Sequence, residues 1–167
     1  IGMEKATGTH LLFLNGGDVL YGKKSLQGIT SSVEPEQTSL FRVIQETKTR
    51  SYVRPGISGT GVRIDNYSHQ GFVAPLCEQT PKFLEQIKIN ADTYWMKECL
   101  ELFPVNVHDK IISRFELGGI SNKPSKKTVA MRYHTNGLKR AALELIKLVL
   151  FITLGSETYY RFLAWRA

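Results

Sequence analysis

The chain has 167 residues and is 42% hydrophobic, enough apolar material for a core that folds on its own. Two cysteines, Cys77 and Cys99, imply no disulfide framework and fix no redox compartment, while the four histidines at 10, 69, 108 and 134 lack metal-binding spacing, so neither a metal nor a cofactor is indicated. The formal charge of +7 is uneven: residues 110–167 hold 11 basic and 3 acidic side chains, which concentrates the positive field in the C-terminal third.

Ile1 stands where an initiator methionine would, and residues 2–5 lack the layout of a signal peptide. The sequence therefore reads as a single domain, residues 1–167, excised from a longer chain, β-rich over 1–76 and helix-rich over 77–167. The apolar run 10–14 stops at Asn15-Gly16-Gly17-Asp18 and resumes at 19–21, the pattern of a hairpin closed by an Asn-Gly turn. Further strands are predicted over 28–33, 40–44 and 51–54, with a polar turn at 45–50, and over 62–64 and 71–76.

At Thr80-Pro81 a cap followed by a proline predicts the start of a helix. Its stripe is Leu84, Ile87, Ala91, Trp95, Cys99 and Leu102, and Pro104 ends it; Asp92 offers a second cap that would divide it. Residues 105–117 are ambiguous between strand and helix. Residues 118–127 read as a basic loop and 128–133 as a strand. A helix capped by Asn136 then runs over 137–154, and its nearly all-round apolar end predicts the most buried helix of the domain. Gly155 and Ser156 separate it from a terminal helix over 157–165. The fold expected is α+β, a small, largely antiparallel sheet in the N-terminal half packed against about three helices in the C-terminal half.

The densest chemistry lies in residues 54–71. Glycines at 56, 59 and 61 can turn several N–H groups toward an anion, and Arg54 and Arg63 can grip a phosphate in forked geometry. His69 brings an imidazole able to carry a proton near neutral pH. A metal-independent ribonuclease needs such a base, a general acid and cations on the phosphate. His69, Arg63 and Arg54 are accordingly the candidate catalytic residues, with His134, His108 or Glu46 as the second acid–base group. Compact basic α+β domains of this kind include nuclease toxins, an analogy of class alone.

The candidate nucleic-acid contacts are Lys123, Lys126, Lys127, Arg132, Lys139 and Arg140, and aromatics stand beside basic residues at Arg132-Tyr133-His134 and Tyr159-Tyr160-Arg161-Phe162. The partner expected is nucleic acid, RNA before DNA, or an acidic protein. Charges at Lys139, Arg140, Glu144 and Lys147 leave no stretch long enough to span a membrane.

Two alternatives compete with the nuclease reading. One is a non-catalytic module of a larger protein that binds nucleic acid or protein. The other is a cysteine-dependent hydrolase in which Cys77, at a strand end before a helix, is activated by His10 or His69. Gln70 would help bind the oxyanion there, seven residues before the cysteine, a spacing similar to that of some cysteine peptidases.

Overall fold

A computed structural model describes residues 2–54, 67–84, 86, 91–117 and 123–166. The fold is α+β with a mostly antiparallel sheet. The elements run α1 (Gly2–Lys5), β1 (His10–Leu12), β2 (Val19–Leu20), α2 (Ser25–Thr30), β3 (Thr38–Glu46), β4 (Ser51–Arg54), a 3-10 turn (His69–Gly71), β5 (Phe72–Pro75), α3 (Ala91–Leu102), β6 (Val105–Glu116), α4 (Lys126–Leu154) and α5 (Ser156–Arg166). The chain divides into two compact units, Ile1–Gln45 with Tyr52–Phe115, and Glu46–Ser51 with Glu116–Ala167.

The first unit is built on the sheet, whose strand order is β1-β5-β3-β6-β2 with β4 beside β3. Side chains alternate across a strand, so neighbouring residues serve opposite faces. Leu40 and Phe72 join Leu11, Ala74 and the α3 residues Trp95, Met96 and Cys99 in one core, with Phe103 just beyond the helix. Their neighbours Phe41 and Val73 join Ile112 and the α2 residue Ile29 in another. Trp95 anchors the first core, stacking on Phe83 at 5.2 Å and donating its indole N–H to the Pro81 carbonyl at 2.7 Å.

Several sequence expectations are corrected here. The strands flanking the Asn-Gly turn do not pair with each other; β1 pairs with β5 and β2 with β6. Residues 28–33 do not form a strand, because Ser25–Thr30 is helical and buries Ile29. The helix expected from Thr80 begins at Ala91 in the described chain. Thr80 instead closes a local turn, its hydroxyl donating to the Pro75 carbonyl at 2.7 Å and accepting from the Cys77 N–H at 2.9 Å. The expected strand 62–64 lies outside the described residues. Of the ambiguous residues 105–117, Val105–Glu116 form β6.

In the second unit, residues 128–133 belong to α4 and not to a strand. Ser125 caps that helix: its hydroxyl accepts from the Thr128 N–H at 3.1 Å, and the Thr128 hydroxyl accepts from the Ser125 N–H at 2.9 Å. This reciprocal pair satisfies two end groups and outweighs the strand preference of Thr128 and Val129. Gly137, at φ 76° and ψ −177°, divides α4 into two arms, close to where a second helix was expected. Gly155, at φ 76°, ends α4, and α5 follows as the sequence predicts. The apolar end of α4 is not the most buried helix; Leu145, Ile146, Val149, Ile152 and Leu154 are all exposed. Among the described residues no helix is long and apolar enough to cross a membrane.

Candidate functional site

The site begins with a glycine. A Cβ at Gly71 would lie 2.4 Å from the Phe41 carbonyl oxygen and 2.8 Å from Val43 Cγ1, so only glycine lets the turn before β5 press against β3. The turn closes through the Gly71 N–H on the Ser68 carbonyl at 2.9 Å, and Ser113 on β6 donates its hydroxyl to the Gln70 carbonyl at 2.7 Å. His69 is thereby held between the 15–18 turn and the first turn of α3.

His69 Nδ1–H donates to Asp92 Oδ2 at 3.0 Å, and the Asn15 side-chain amide donates to His69 Nε2 at 2.9 Å. The two bonds put the ring's donor, Nδ1, toward the carboxylate and its acceptor, Nε2, toward the amide. The hydrogen bond from His69 is the largest influence holding the Asp92 carboxyl below the usual carboxylate range. The Thr93 N–H bond at 2.8 Å adds to it, and partial burial opposes both. Around the pair, Asp18 Oδ2 accepts from the Asn15 N–H at 2.8 Å and from the Gln70 amide at 3.0 Å, and the Ser68 hydroxyl donates to Gln70 Oε1. The arrangement is a carboxylate–imidazole pair with the far ring nitrogen covered by an amide. A ligand that displaced the Asn15 amide would meet a basic nitrogen whose ring is oriented by a carboxylate.

Asp92 entered the sequence reading only as a helix cap. A carboxylate in the first turn of a helix can face an imidazole as readily as a backbone N–H, but His69 lies 23 positions earlier in the chain and no local pattern joins the two. The other expected partners lie elsewhere. His108 stacks on Phe41 at 4.4 Å and shares a hydrogen bond with Ser39 Oγ at 3.2 Å, and burial first, then Lys110, lowers its pKa. Glu46 and His134 belong to the second unit. Arg54 is only 9% exposed at the end of β4, where its Nε donates to Gln45 Oε1 at 3.2 Å and burial lowers its pKa. Arg63 and the glycines at 56, 59 and 61 lie outside the described residues.

Cys77 lies just beyond β5, its thiol 3.5 Å from Thr80 Oγ1, with no described helix starting at Pro81. His10 bonds Thr9 and the Glu34 carbonyl, each at 3.0 Å, and His69 is engaged as above. Cys99 is fully buried and its thiol is pushed up to about 12, by burial first.

Of the basic candidates in the second unit, Lys123, Lys126, Lys127, Lys139 and Arg140 are exposed and Arg132 is half-buried. The unit as a whole holds 11 basic and 4 acidic side chains, whereas the first unit holds 11 of each. The entire formal charge of +7 therefore belongs to the second unit. Tyr133 is 54% exposed beside these residues, with the His134 ring edge-on at 5.6 Å. Compared with protein-family models, curated proteins and solved structures, the chain matches none.

Proposed function

We propose that this is a nucleic-acid-directed domain whose C-terminal unit engages RNA through Lys123, Lys126, Lys127, Lys139 and Arg140, with Arg132 supporting them. The observation that carries this reading is the charge partition: a net +7 confined to one unit, with Lys126, Lys127, Lys139 and Arg140 exposed on a single kinked helix that also exposes Tyr133, and Lys123 exposed just before it. Cations placed this way neutralise phosphates, and an exposed aromatic ring offers a face on which a base stacks. The test is a gel-shift titration of a single-stranded RNA with the wild-type chain and a Lys126→Ala/Lys127→Ala/Lys139→Ala variant. Weakening by at least about tenfold in the variant supports the reading, and equal affinity removes it.

A catalytic form of the same reading is favoured by the Asp92–His69 pair. In metal-independent cleavage of RNA, His69 Nε2 takes the proton of a ribose 2′-hydroxyl once the Asn15 amide is displaced. The hydroxyl oxygen attacks the adjacent phosphorus, the bond from phosphorus to the 5′-oxygen breaks, that oxygen leaves as a hydroxyl by taking a proton from water, and a 2′,3′-cyclic phosphate forms. Asp92 stabilises the imidazolium that results. Incubation with RNA in the presence of a chelator tests this form: cleavage that His69→Ala abolishes supports it, and cleavage unchanged in that variant excludes it.

A further inference from the structure

The second arm of α4 presents apolar side chains outward. Leu138, Leu145, Val149 and Ile152 recur at helical spacing along one side, with Leu138 75% and Ile152 71% exposed. The intramolecular contacts of this arm lie on another side, where Phe151 meets Tyr159 and Tyr160 of α5 at 5.4 and 5.9 Å. Across the Gly137 kink the two arms enclose a groove of about 480 Å³. Tyr133, Leu138 and Leu145 line it together with the small Ala130, Ala141 and Ala142, which leave room for a visiting side-chain row.

We propose that this groove is the docking site for an amphipathic helix of a partner protein, one with apolar anchors on one face and acidic residues flanking them. Helix-in-groove recognition needs a concave apolar channel several turns long; on this arm the groove wall runs from Leu138 to Leu148, about 15 Å or roughly three turns, and the exposed Val149 and Ile152 extend the apolar face beyond it. Charge identifies the occupant. Lys126 lines the groove, Lys127 and Lys139 are exposed near it, and the only acidic side chain of α4, Glu144, is tied to Lys147 at 2.8 Å. An acidic flank meets exposed cations there that form no ion pair among the described residues, whereas a second copy of the chain would bring another +7 unit against the first. A planar lipid surface does not enter a concavity. Lys126, Lys127 and Lys139 are also the cations assigned to RNA above, so an acidic helix and RNA would compete for them, while the apolar anchors belong to the helix alone.

The test uses the full chain and two fluorescent synthetic helices of about 18 residues with leucines at i, i+3, i+4 and i+7, one flanked by glutamates and one by lysines. Ala142→Glu places a charge in the groove at an exposed position, and Leu143→Glu places one on the same arm outside it. Expected are micromolar binding of the glutamate helix, at least about tenfold weakening in Ala142→Glu, and no more than about twofold change in Leu143→Glu. No binding at about 100 μM, equal binding of the lysine helix, or indifference to Ala142→Glu overturns the proposal. A dimer in sedimentation that Ala142→Glu dissociates also overturns it, by giving the groove to a second copy. Should Ala142→Glu lose its helical circular dichroism, Leu145→Gln is measured in its place against the same outcomes.

Discussion

His69 donates its Nδ1–H to Asp92 Oδ2 at 3.0 Å while Asn15 caps its other nitrogen, so one imidazole joins the 15–18 turn to the first turn of α3. The carboxylate in this pair is held below the usual range, so its folded pKa is below its unfolded one. Such a group contributes stability above the unfolded carboxylate value, about 4, and loses it as pH falls through the folded value. Urea unfolding of wild type and Asp92→Asn at pH 7 and near pH 2.5 should show a difference at pH 7 that shrinks in acid. A difference independent of pH contradicts this account of the pair.

Gly71→Ala should destabilise the first unit by about 2–4 kcal/mol, because the new methyl meets a β3 backbone oxygen that cannot move without shifting the sheet. Thermal melts followed by circular dichroism check this, and an unchanged melting temperature would mean that the turn does not press against β3 as described.

The outward face of α4 and the core of the first unit should respond oppositely to substitution. Ile152→Asp, at an exposed position, should change stability by less than about 0.5 kcal/mol, whereas Phe72→Ala, fully buried, should cost about 3–5 kcal/mol. Denaturant melts distinguish the two. Similar large losses would mean that the α4 face is enclosed.

The two thiols should separate by reactivity. With Cys99 buried and its pKa pushed up to about 12, while Cys77 is half-exposed, a thiol reagent at about pH 8 should label one cysteine in the native chain and both in denaturant. Mass spectrometry of the labelled peptides checks this, and native labelling of Cys99 contradicts the packing of α3.

How much of this was legible in the sequence depended on how local the deciding interaction was. Trp95 and Cys99 were readable as core because a helix repeats its buried face every three or four residues, and the α4–α5 break was readable because Gly155 needs a positive φ. The hairpin around Asn15 was misread because turn chemistry specifies only the turn; β1 and β2 found distant partners in β5 and β6. Thr128 and Val129 have strand propensity, but the Ser125–Thr128 cap and the helix that it starts override it. The run 145–154 is apolar whether it is enclosed or awaits a partner, and no periodicity tells those states apart. Asp92 could not be matched to His69 because a pairing across 23 residues leaves no pattern.

The central claim is that the C-terminal unit binds RNA through its lysines and Arg140. Its most direct test is the affinity of the full chain for a single-stranded RNA, measured by fluorescence anisotropy across a salt series for wild type and for the Lys126→Ala/Lys127→Ala/Lys139→Ala variant. Each phosphate contact on a single strand contributes roughly −0.7 to the slope of log K against log salt. The account predicts a slope of about −3 or steeper for wild type, made shallower by about 2 in the variant. Binding that is absent at low salt, or a slope the variant leaves unchanged, contradicts it.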